Sequence, residues 1–301
     1  YDKLEDEMLG YNRTIEQTVH IGSVFLQNEW RNEKWSFLIG GRVDDHNLMK
    51  DLIFSPRANL RYNPAKDINM RLSYASGFRA PQAFDEDLHI TAVGGNVSLI
   101  QLSPDLKEEK SHSFSTSVDF YRRFGKIQAN LLVEGFYTDL KDVFVIEATG
   151  HDENGNIIME RRNGKGARVM GINLEAKIAF DRIQFQGGGT FQRSRYKEAE
   201  QWSENEHIVP QKKMFRSPDT YGYFTGTYNP VKKLGISLTC TYTGSMLMQH
   251  FEGYNPEDRE EKTSDFFDMN VKLTYDIPIY RNVTLQLNGG IQNIFNSYQD
   301  D

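Results

Sequence analysis

The sequence lacks any long hydrophobic run. Only 38% of its 301 residues are hydrophobic, and no segment approaches the roughly 18 consecutive apolar residues of a membrane-spanning helix. This absence excludes a helical membrane protein. It does not exclude a transmembrane β-barrel, because barrel strands need apolar side chains only at alternate positions. Composition therefore leaves two fold classes, a soluble all-β protein and a barrel in lipid.

Cysteine and excess positive charge are also scarce. The single cysteine, Cys240, excludes an internal disulfide framework and any site that needs several cysteines. With 35 Lys and Arg against 42 Asp and Glu, the net charge is −7. We therefore expect no nucleic-acid partner, since nucleic-acid binding usually needs a basic surface. The opening segment YDKLEDEMLG is acidic and polar, unlike a signal peptide, so we interpret it as part of a mature or longer chain.

What the sequence does contain is a sustained two-residue period, which is typical of β-strands with two different faces. In residues 267–276 the apolar positions are Phe267, Met269, Val271, Leu273 and Tyr275. The same alternation occurs in residues 68–74, 113–120, 172–180 and 234–243. Units such as 108–121, 126–139 and 264–276 exceed the roughly 9–11 residues that a tilted membrane strand needs. The pattern predicts long strands and no long helix.

The connections between these strands alternate between short and long. Short turns fall near 31–34, 63–67, 122–125, 181–183, 229–233 and 277–282. Longer polar stretches fall near 43–52, 79–107, 140–166, 194–217 and 248–263, and another begins near 294. Six short turns that each join two strands predict twelve strands in six hairpins. A soluble sandwich has no reason to sort its loops in this way, whereas a membrane barrel has tight turns on one side and long loops on the other.

Aromatic residues concentrate near the short turns. Each short turn has at least one aromatic ring within about two residues; Trp30 and Trp35 flank the first. Rings collected at one end of many strands are typical of an interfacial girdle. The polar positions of the strands predict a wet or polar lumen. We therefore predict an all-β fold, an antiparallel transmembrane β-barrel.

Four segments resemble the barrel region of TonB-dependent outer-membrane receptors of Gram-negative bacteria, which take up ligands such as ferric siderophores and cobalamin and bind colicins. They are LSYASGFRAPQAFDEDLHI (72–90), SPDLKEEKSHSFSTSVDFY (103–121), RNGKGARVMGINLEAK (162–177) and GGIQNIFNSYQDD (289–301). The segments occur in the order of the family, and the resemblance covers most of the chain.

The resemblance implies a 22-stranded barrel with a plug inside it. The twelve strands would be the tenth to the twenty-first, so we expect residues 1–301 to form a partial barrel domain without the plug, the TonB box or the final strand. The implied function is import of a bulky, scarce nutrient such as a ferric siderophore, cobalamin or haem across the outer membrane, energised through TonB. Implied partners are outer-membrane lipid, TonB (through the N-terminal region), a metal-chelate or vitamin ligand, and potentially a surface lipoprotein. No resident cofactor is expected.

Candidate ligand contacts lie in the long loops, because external loops carry recognition in such barrels. They are Arg79, Phe84, Trp202, His250, Phe251 and Tyr254. We interpret Arg79, in the Gly-Phe-Arg-Ala-Pro segment at 77–81, first as a structural residue that pairs with lumen carboxylates and second as a ligand contact. Asp85 and Asp87 could hold Ca²⁺ through carboxylate oxygens, although a solvated acidic loop is the favoured interpretation.

Other loop motifs are interpreted as structural. Asn154-Gly155 predicts the tip of a hairpin, and residues 163–166 predict a transition from loop to strand. Met246, Met248 and His250 share one face of an extended chain and could suit a copper-type ion. Packing is the favoured interpretation, because that face continues the apolar face of 234–243.

Catalysis needs a nucleophile, a base and an orienting group in reach of one another, and no histidine lies in such a motif; His112 and Ser113 point to opposite faces of a strand. We therefore do not expect an enzyme. The alternatives are a self-contained twelve-stranded barrel, as a passive channel or phospholipase-like enzyme, and a soluble sandwich or adhesin. A plug-like domain upstream and a final strand downstream would favour the receptor.

Overall fold

The fold of the described residues is all β. The computed structural model describes residues 2–8, 13–81, 98–151, 157–203, 205, 207–250 and 256–299. None of these residues belongs to a helix long and apolar enough to cross a membrane. The predicted all-β class is confirmed, and the described strands pair antiparallel with one exception, the parallel pair formed by residues 98–102 and 157–161.

Twenty strands lie in the described part of the chain, and several reach well beyond the usual soluble length of about 5–6 residues. In chain order they are β1 Asp2–Met8, β2 Arg13–Val19, β3 Ile21–Arg31, β4 Trp35–His46, β5 Ile53–Ala65, β6 Ile68–Arg79, β7 Ser98–Leu102, β8 Glu109–Phe124, β9 Ile127–Lys141, β10 Phe144–His151, β11 Ile157–Asn163, β12 Ala167–Phe180, β13 Ile183–Glu200, β14 Gln211–Lys213, β15 Thr220–Val231, β16 Leu234–Thr243, β17 Leu247–His250, β18 Arg259–Lys262, β19 Phe266–Tyr280 and β20 Val283–Ile291.

Twelve of the described strands form one continuous antiparallel sheet, which we call the main sheet. Its order is β3, β4, β5, β6, β8, β9, β12, β13, β15, β16, β19 and β20, and the short strand β14 pairs with β13. If the short strands in the loops are left out, strands that are adjacent in the sheet are also consecutive in the chain. This topology is an up-and-down meander. The predicted twelve strands and their six hairpins are confirmed.

The six hairpin turns are as short as the sequence predicted. Five contain two residues between the strands and one, at 32–34, contains three. Gly125, Asp181 and Arg281 open three of the two-residue turns with positive φ (59°, 48° and 44°), the conformation that suits the twist of a tight hairpin. These turns define one end of the main sheet, the turn side; the opposite end is the loop side.

Three register shifts in these hairpins coincide with proline. The pairing shifts between Tyr62 and Ala65, between Tyr228 and Val231, and between Pro278 and Tyr280. Pro64 and Pro230 lie inside the first two intervals, and Pro278 begins the third. Proline has no N–H to donate to the ladder, so it is tolerated where the ladder is interrupted.

The main sheet has one apolar and one polar face. One row of paired residues from β6 to β19 is apolar throughout: Ile68, Phe120, Leu131, Ala176, Gly187, Phe224, Cys240 and Met269. The next row, one residue along each strand, points to the other face: Asn69, Asp119, Leu132, Glu175, Gly188, Tyr223, Thr241 and Asp268. Apolar side chains such as Leu72, Ile172 and Leu273 are about half exposed (56%, 50% and 49%), so the described residues leave the apolar face uncovered.

Additional short strands lie on the loop side, most of them within stretches that the sequence predicted as long polar loops. β10, β11 and β7 form a three-stranded sheet, the outer sheet, and β17 pairs with β18 in a hairpin. β1 and β2 pair with each other. These stretches carry strands because long ordered loops must satisfy their own backbone N–H and C=O groups. The β10–β11 hairpin confirms the predicted one, although its tip at 152–156 lies outside the described residues.

Candidate ligand-binding surface

Arg79 ends β6 and joins the main sheet to the outer sheet. Its Nη1 lies 3.6 Å from Glu109 Oε2 on the neighbouring strand β8, and its guanidinium carbon lies 5.4 Å from the centre of the Phe144 ring in β10. The backbone N–H of Phe144 donates to the same Glu109 carboxylate. Buried Arg161 of β11 approaches that ring as well, at 5.9 Å. These contacts are those of a structural residue, and the side chain is still half exposed (50%).

The base of the outer sheet is held by Asn163, for which the sequence predicted only a transition from loop to strand. Its Oδ1 accepts from the Lys107 N–H at 2.8 Å, and its Nδ2 donates to the carbonyls of Lys107 and Asp142 at 2.9 and 2.7 Å. One side chain thus ties together three loop segments that are far apart in sequence. Asparagine before glycine is a common turn signal, but the partners 56 and 21 residues away carry no local signal.

An open cleft of about 460 Å³ lies beside Asn163 on the loop side. Its lining includes Asp105, Lys107, Asp142 and Arg162, and Arg162 also pairs with Glu147 of β10. Both signs of charge face the cleft. It can therefore offer donors and acceptors to a polar ligand.

Trp202 lies in the loop after β13 and packs against the β17–β18 hairpin. Its indole Nε1 donates to Glu260 Oε1 at 2.9 Å, and Phe215 meets its ring edge-to-face at 6.0 Å. Gln211 of β14 donates to the other oxygen of Glu260 at 2.9 Å. Buried Ser203 donates to Asp258 just before β18. The loop at 201–216 and the β17–β18 hairpin therefore form one packed unit, which we call the hairpin unit.

His250 ends β17 within the same unit. Its Nε2 lies 3.8 Å from Glu261 Oε2, and its side chain is only 14% exposed. Arg259 Nη2 approaches the same oxygen at 3.1 Å. Trp202 and His250 thus contact successive residues of β18, Glu260 and Glu261. Arg79 instead contacts Glu109 and the Phe144 ring of the outer sheet. The ligand roles predicted for these three residues remain predictions.

The continuous face predicted for 238–250 is interrupted. β16 ends at Thr243 and β17 starts anew at Leu247, paired with β18 instead of with the main sheet. The backbone N–H of Met246 donates to Thr263 Oγ1 at 3.1 Å. Because residues 244–246 leave the strand, the period of β16 does not carry into β17.

The remaining candidates lie outside the described residues: Phe84, Asp85, Asp87, Phe251 and Tyr254. Among the residues that are described, no group of three or more His, Cys, Asp or Glu side chains is arranged to hold a metal ion.

Two charge clusters that the sequence did not predict join loop-side strand ends. Asp139 Oδ1 lies 2.9 Å from Lys197 Nζ and 3.5 Å from Arg168 Nε. Asp219 lies 3.0 Å from Lys213 Nζ and 3.3 Å from Arg195 Nη1. No sequence signal marks these clusters, because their members come together only through the strand register.

Asp219 keeps its negative charge more readily than an ordinary aspartate. Partial burial by itself raises the pKa of this carboxyl, but hydrogen bonds from Arg195 and Lys213 outweigh burial and hold the pKa below its ordinary value. Glu108, just before β8, behaves alike: desolvation raises its pKa, and the hydrogen bond from Lys110 at 2.8 Å leaves the pKa lowered. Both carboxylates anchor loop-side segments as charged groups.

Known proteins resemble this chain in sequence and in fold. A sequence profile of the family described as TonB dependent receptor-like, beta-barrel, matches residues 6–294. The hemoglobin and hemoglobin-haptoglobin-binding protein C of Haemophilus influenzae is 26% identical over 211 residues, 60% of this chain and 19% of that protein. The siderophore receptor PirA of Acinetobacter baumannii is 16% identical, with a TM-score of 0.66 over 94% of this chain and 42% of the solved one.

A further solved structure, the outer membrane transporter YddB of Escherichia coli, is 13% identical, with a TM-score of 0.69 over 96% of this chain and 43% of its own. At such identities the likeness shows the fold. The chain spans about a fifth of the curated relatives that it matches and less than half of these solved receptors. The family profile covers nearly the whole chain, and the solved receptors share its succession of long paired strands. The chain therefore belongs to the TonB-dependent receptor family and makes up part of the β-barrel of such a receptor.

Proposed function

We propose that this chain is part of the barrel of an outer-membrane receptor that binds a bulky, scarce ligand at its loop side and imports it with energy supplied through TonB. The observation that carries the proposal is the two-faced main sheet with elaborated loops at one end only. A continuous apolar face suits lipid, and a polar face suits a lumen.

The girdle of aromatic residues supports the same orientation. Trp30, Phe124, Phe180 and Tyr280 lie next to the hairpin turns and are exposed. Their rings suit the headgroup depth of a bilayer. The turn side would then face the periplasm and the loop side the cell exterior. The outer sheet, the hairpin unit and the cleft beside Asn163 would all meet solutes outside the cell.

An iron-bearing ligand is the substrate class that the similar proteins favour. Their names refer to hemoglobin, hemoglobin-haptoglobin and siderophores. We therefore rank haem or its protein carriers and ferric siderophores above cobalamin. We call the outer sheet, the hairpin unit and the cleft beside Asn163 together the loop layer. Trp202 offers an aromatic contact and the charged cleft offers polar contacts, which can serve any of these ligands.

The test is uptake by a receptor-deficient Gram-negative strain that expresses the full-length receptor. Cells would be given radiolabelled haem, haemoglobin, ferric siderophores or cobalamin, each in a background with TonB and in one without it. We expect surface binding of one iron-bearing ligand in both backgrounds and uptake only where TonB is present. Uptake that persists without TonB would make the protein a passive channel, and uptake of cobalamin alone would overturn the ranking of substrates.

A further inference from the structure

His46 is the last residue of β4 and is almost completely buried, with 1% of its surface exposed. The apolar positions of β4 end at Val43, and the charged Asp45 follows on the same face. His46 therefore lies past the apolar face, at the loop side of the main sheet. A buried histidine at this position is sensitive to pH, because the ring titrates near neutral pH and a buried charge is costly.

The hydrogen bonds of the His46 ring fix its protonation state. Its Nδ1 accepts from the backbone N–H of Leu48 at 3.2 Å. A nitrogen that accepts carries no proton, so the ring is neutral and its proton is on Nε2. The Nε2 atom is buried and has no hydrogen-bond partner among the described residues. A second proton would have to go on Nδ1, where it would point at the Leu48 N–H, and the charge would be buried with neither ring N–H accepted.

The turn that follows His46 holds β1 and β2, which together we call the ribbon. The His46 carbonyl accepts from the Met49 N–H at 2.8 Å. Between them, Asn47 accepts from the His20 N–H at 2.8 Å through its Oδ1 and donates to the Thr18 carbonyl at 2.7 Å through its Nδ2. Its backbone N–H donates to the His20 carbonyl at 3.1 Å. Since Thr18 belongs to β2 and His20 joins β2 to β3, Asn47 attaches the ribbon to the end of β4.

Asp44 is the charge that favours a protonated His46 ring. It lies two residues earlier on the same face of β4 and is also 1% exposed. Its carboxylate is already bound, because Ser23 donates to one oxygen at 2.5 Å and Arg42 Nε donates to the other at 2.8 Å. Burial lowers the pKa of His46, and the attraction of Asp44 opposes this shift without reversing it.

The other charged or titratable residues next to the turn are exposed. They are His20, Asp45, Lys50 and Asp51. Water weakens the effect of such charges on a buried ring. Further along the neighbouring strands, β2 carries no charged residue after Glu16, β3 none before Glu29 and β5 none before Arg57. Within the described part of the chain, Asp44 is therefore the buried carboxylate beside His46.

We propose that His46 is a pH-sensitive switch that keeps the ribbon attached to the main sheet at neutral pH and releases it in acid. When the turn at 46–49 opens, the ring reaches water and takes up a proton at its ordinary pKa of about 6.5. The closed turn excludes this proton, because Nδ1 is occupied by the Leu48 N–H. The population with an open turn therefore grows by up to about tenfold for each pH unit below about 6.5, until the closed form also takes up the proton.

The test is hydrogen exchange of the full-length receptor in lipid vesicles between about pH 5 and 8, with each rate divided by that of an unstructured peptide at the same pH. The N–H groups of His20, Asn47 and Leu48 donate within the closed turn and its contacts, so they report its opening directly. We expect their protection to fall by up to about tenfold per pH unit below about 6.5, while the amides of β15 and β16 keep theirs. Protection that does not change with pH would overturn the proposal.

Two variants identify the group that titrates. In His46→Asn, the side-chain oxygen can accept from the Leu48 N–H and takes up no proton, so protection of the turn should no longer depend on pH. His20→Asn removes the other histidine at this junction and should leave the pH dependence unchanged. A pH dependence that persists in His46→Asn, or that disappears in His20→Asn, would show that His46 is not the switch.

The nitrogen chemical shifts of the His46 ring in the unsubstituted receptor check the same point without a substitution. We expect the proton on Nε2 at about pH 8 and a second proton only below about pH 6.5. A ring that carries its proton on Nδ1 at neutral pH would contradict the proposal. These readouts need no ligand and no TonB, so a failure of the proposed transport function would be seen separately.

Discussion

At the scale of single residues, Gly166 lies just before β12, at a position where the main sheet leaves no room for a side chain. Its φ is +96°, and a Cβ placed there would lie 2.2 Å from the carbonyl oxygen of Leu140. We expect Gly166→Ala to lower the free energy of unfolding by at least about 2 kcal/mol, because the backbone strain of a positive φ and the steric overlap with Leu140 both destabilise the variant. Thermal unfolding of the receptor in detergent measures the change.

The control for this substitution is Gly22→Ala in β3, where nothing lies within 4 Å of the added Cβ. It should change the stability by less than about 1 kcal/mol. Equal effects of the two substitutions would show that the junction at Gly166 is not strained by a side chain.

We expect Asp219 to make part of the loop layer sensitive to acid. Its lowered pKa means that its contacts with Arg195 and Lys213 stabilise the fold above the ordinary aspartate pKa of about 3.9, and that this stabilisation is lost as pH falls through the lower, folded-state value. We expect pepsin to cut the 201–216 loop faster as pH drops below about 4, with rates normalised to an unfolded substrate. Asp219→Asn should be cut readily at every acidic pH; identical pH profiles for the two proteins would contradict this role.

At the scale of elements, the hairpin unit depends on Trp202. Trp202→Phe keeps the ring but removes the N–H that donates to Glu260. A hydrogen bond to a charged group contributes about 1.5–3 kcal/mol, so hydrogen exchange of the β17 and β18 amides should become faster by a factor of about ten or more. The matched control is Trp30→Phe, at an exposed ring stacked on Phe37. If both variants leave β17 and β18 equally protected, the indole does not hold the unit.

At the scale of the whole molecule, the two faces of the main sheet predict opposite tolerances to charge. Leu238 and Thr239 are neighbours in the middle of β16 and point to the apolar and the polar face. Leu238→Arg should lower the free energy of unfolding by about 2–4 kcal/mol if its position lies near the middle of the bilayer. Thr239→Arg should lower it much less. Urea unfolding in lipid vesicles compares the two, and equal costs would argue against lipid on the apolar face.

The sequence predicted the main sheet well because the signals for it are local. The alternation of side chains is carried by each strand separately, and each of the six short turns joins strands that are adjacent in the sequence. The same reasoning fails in the loop layer. Trp202 and Glu260 are 58 residues apart, and no pattern around either one predicts their contact. Ranges such as 140–166 looked like plain polar loops because their strands are short.

The sequence by itself determined the number of barrel strands, their pairing in hairpins and the face to which each side chain points, since a two-residue period needs no information from elsewhere in the chain. Only the tertiary structure decided which residues meet across strands. Register placed Arg61 against Arg71, and loop packing placed Asn163 against Lys107. The physical reason is that these contacts depend on where distant strands stop and how they align. The candidate ligand surface is built from such contacts.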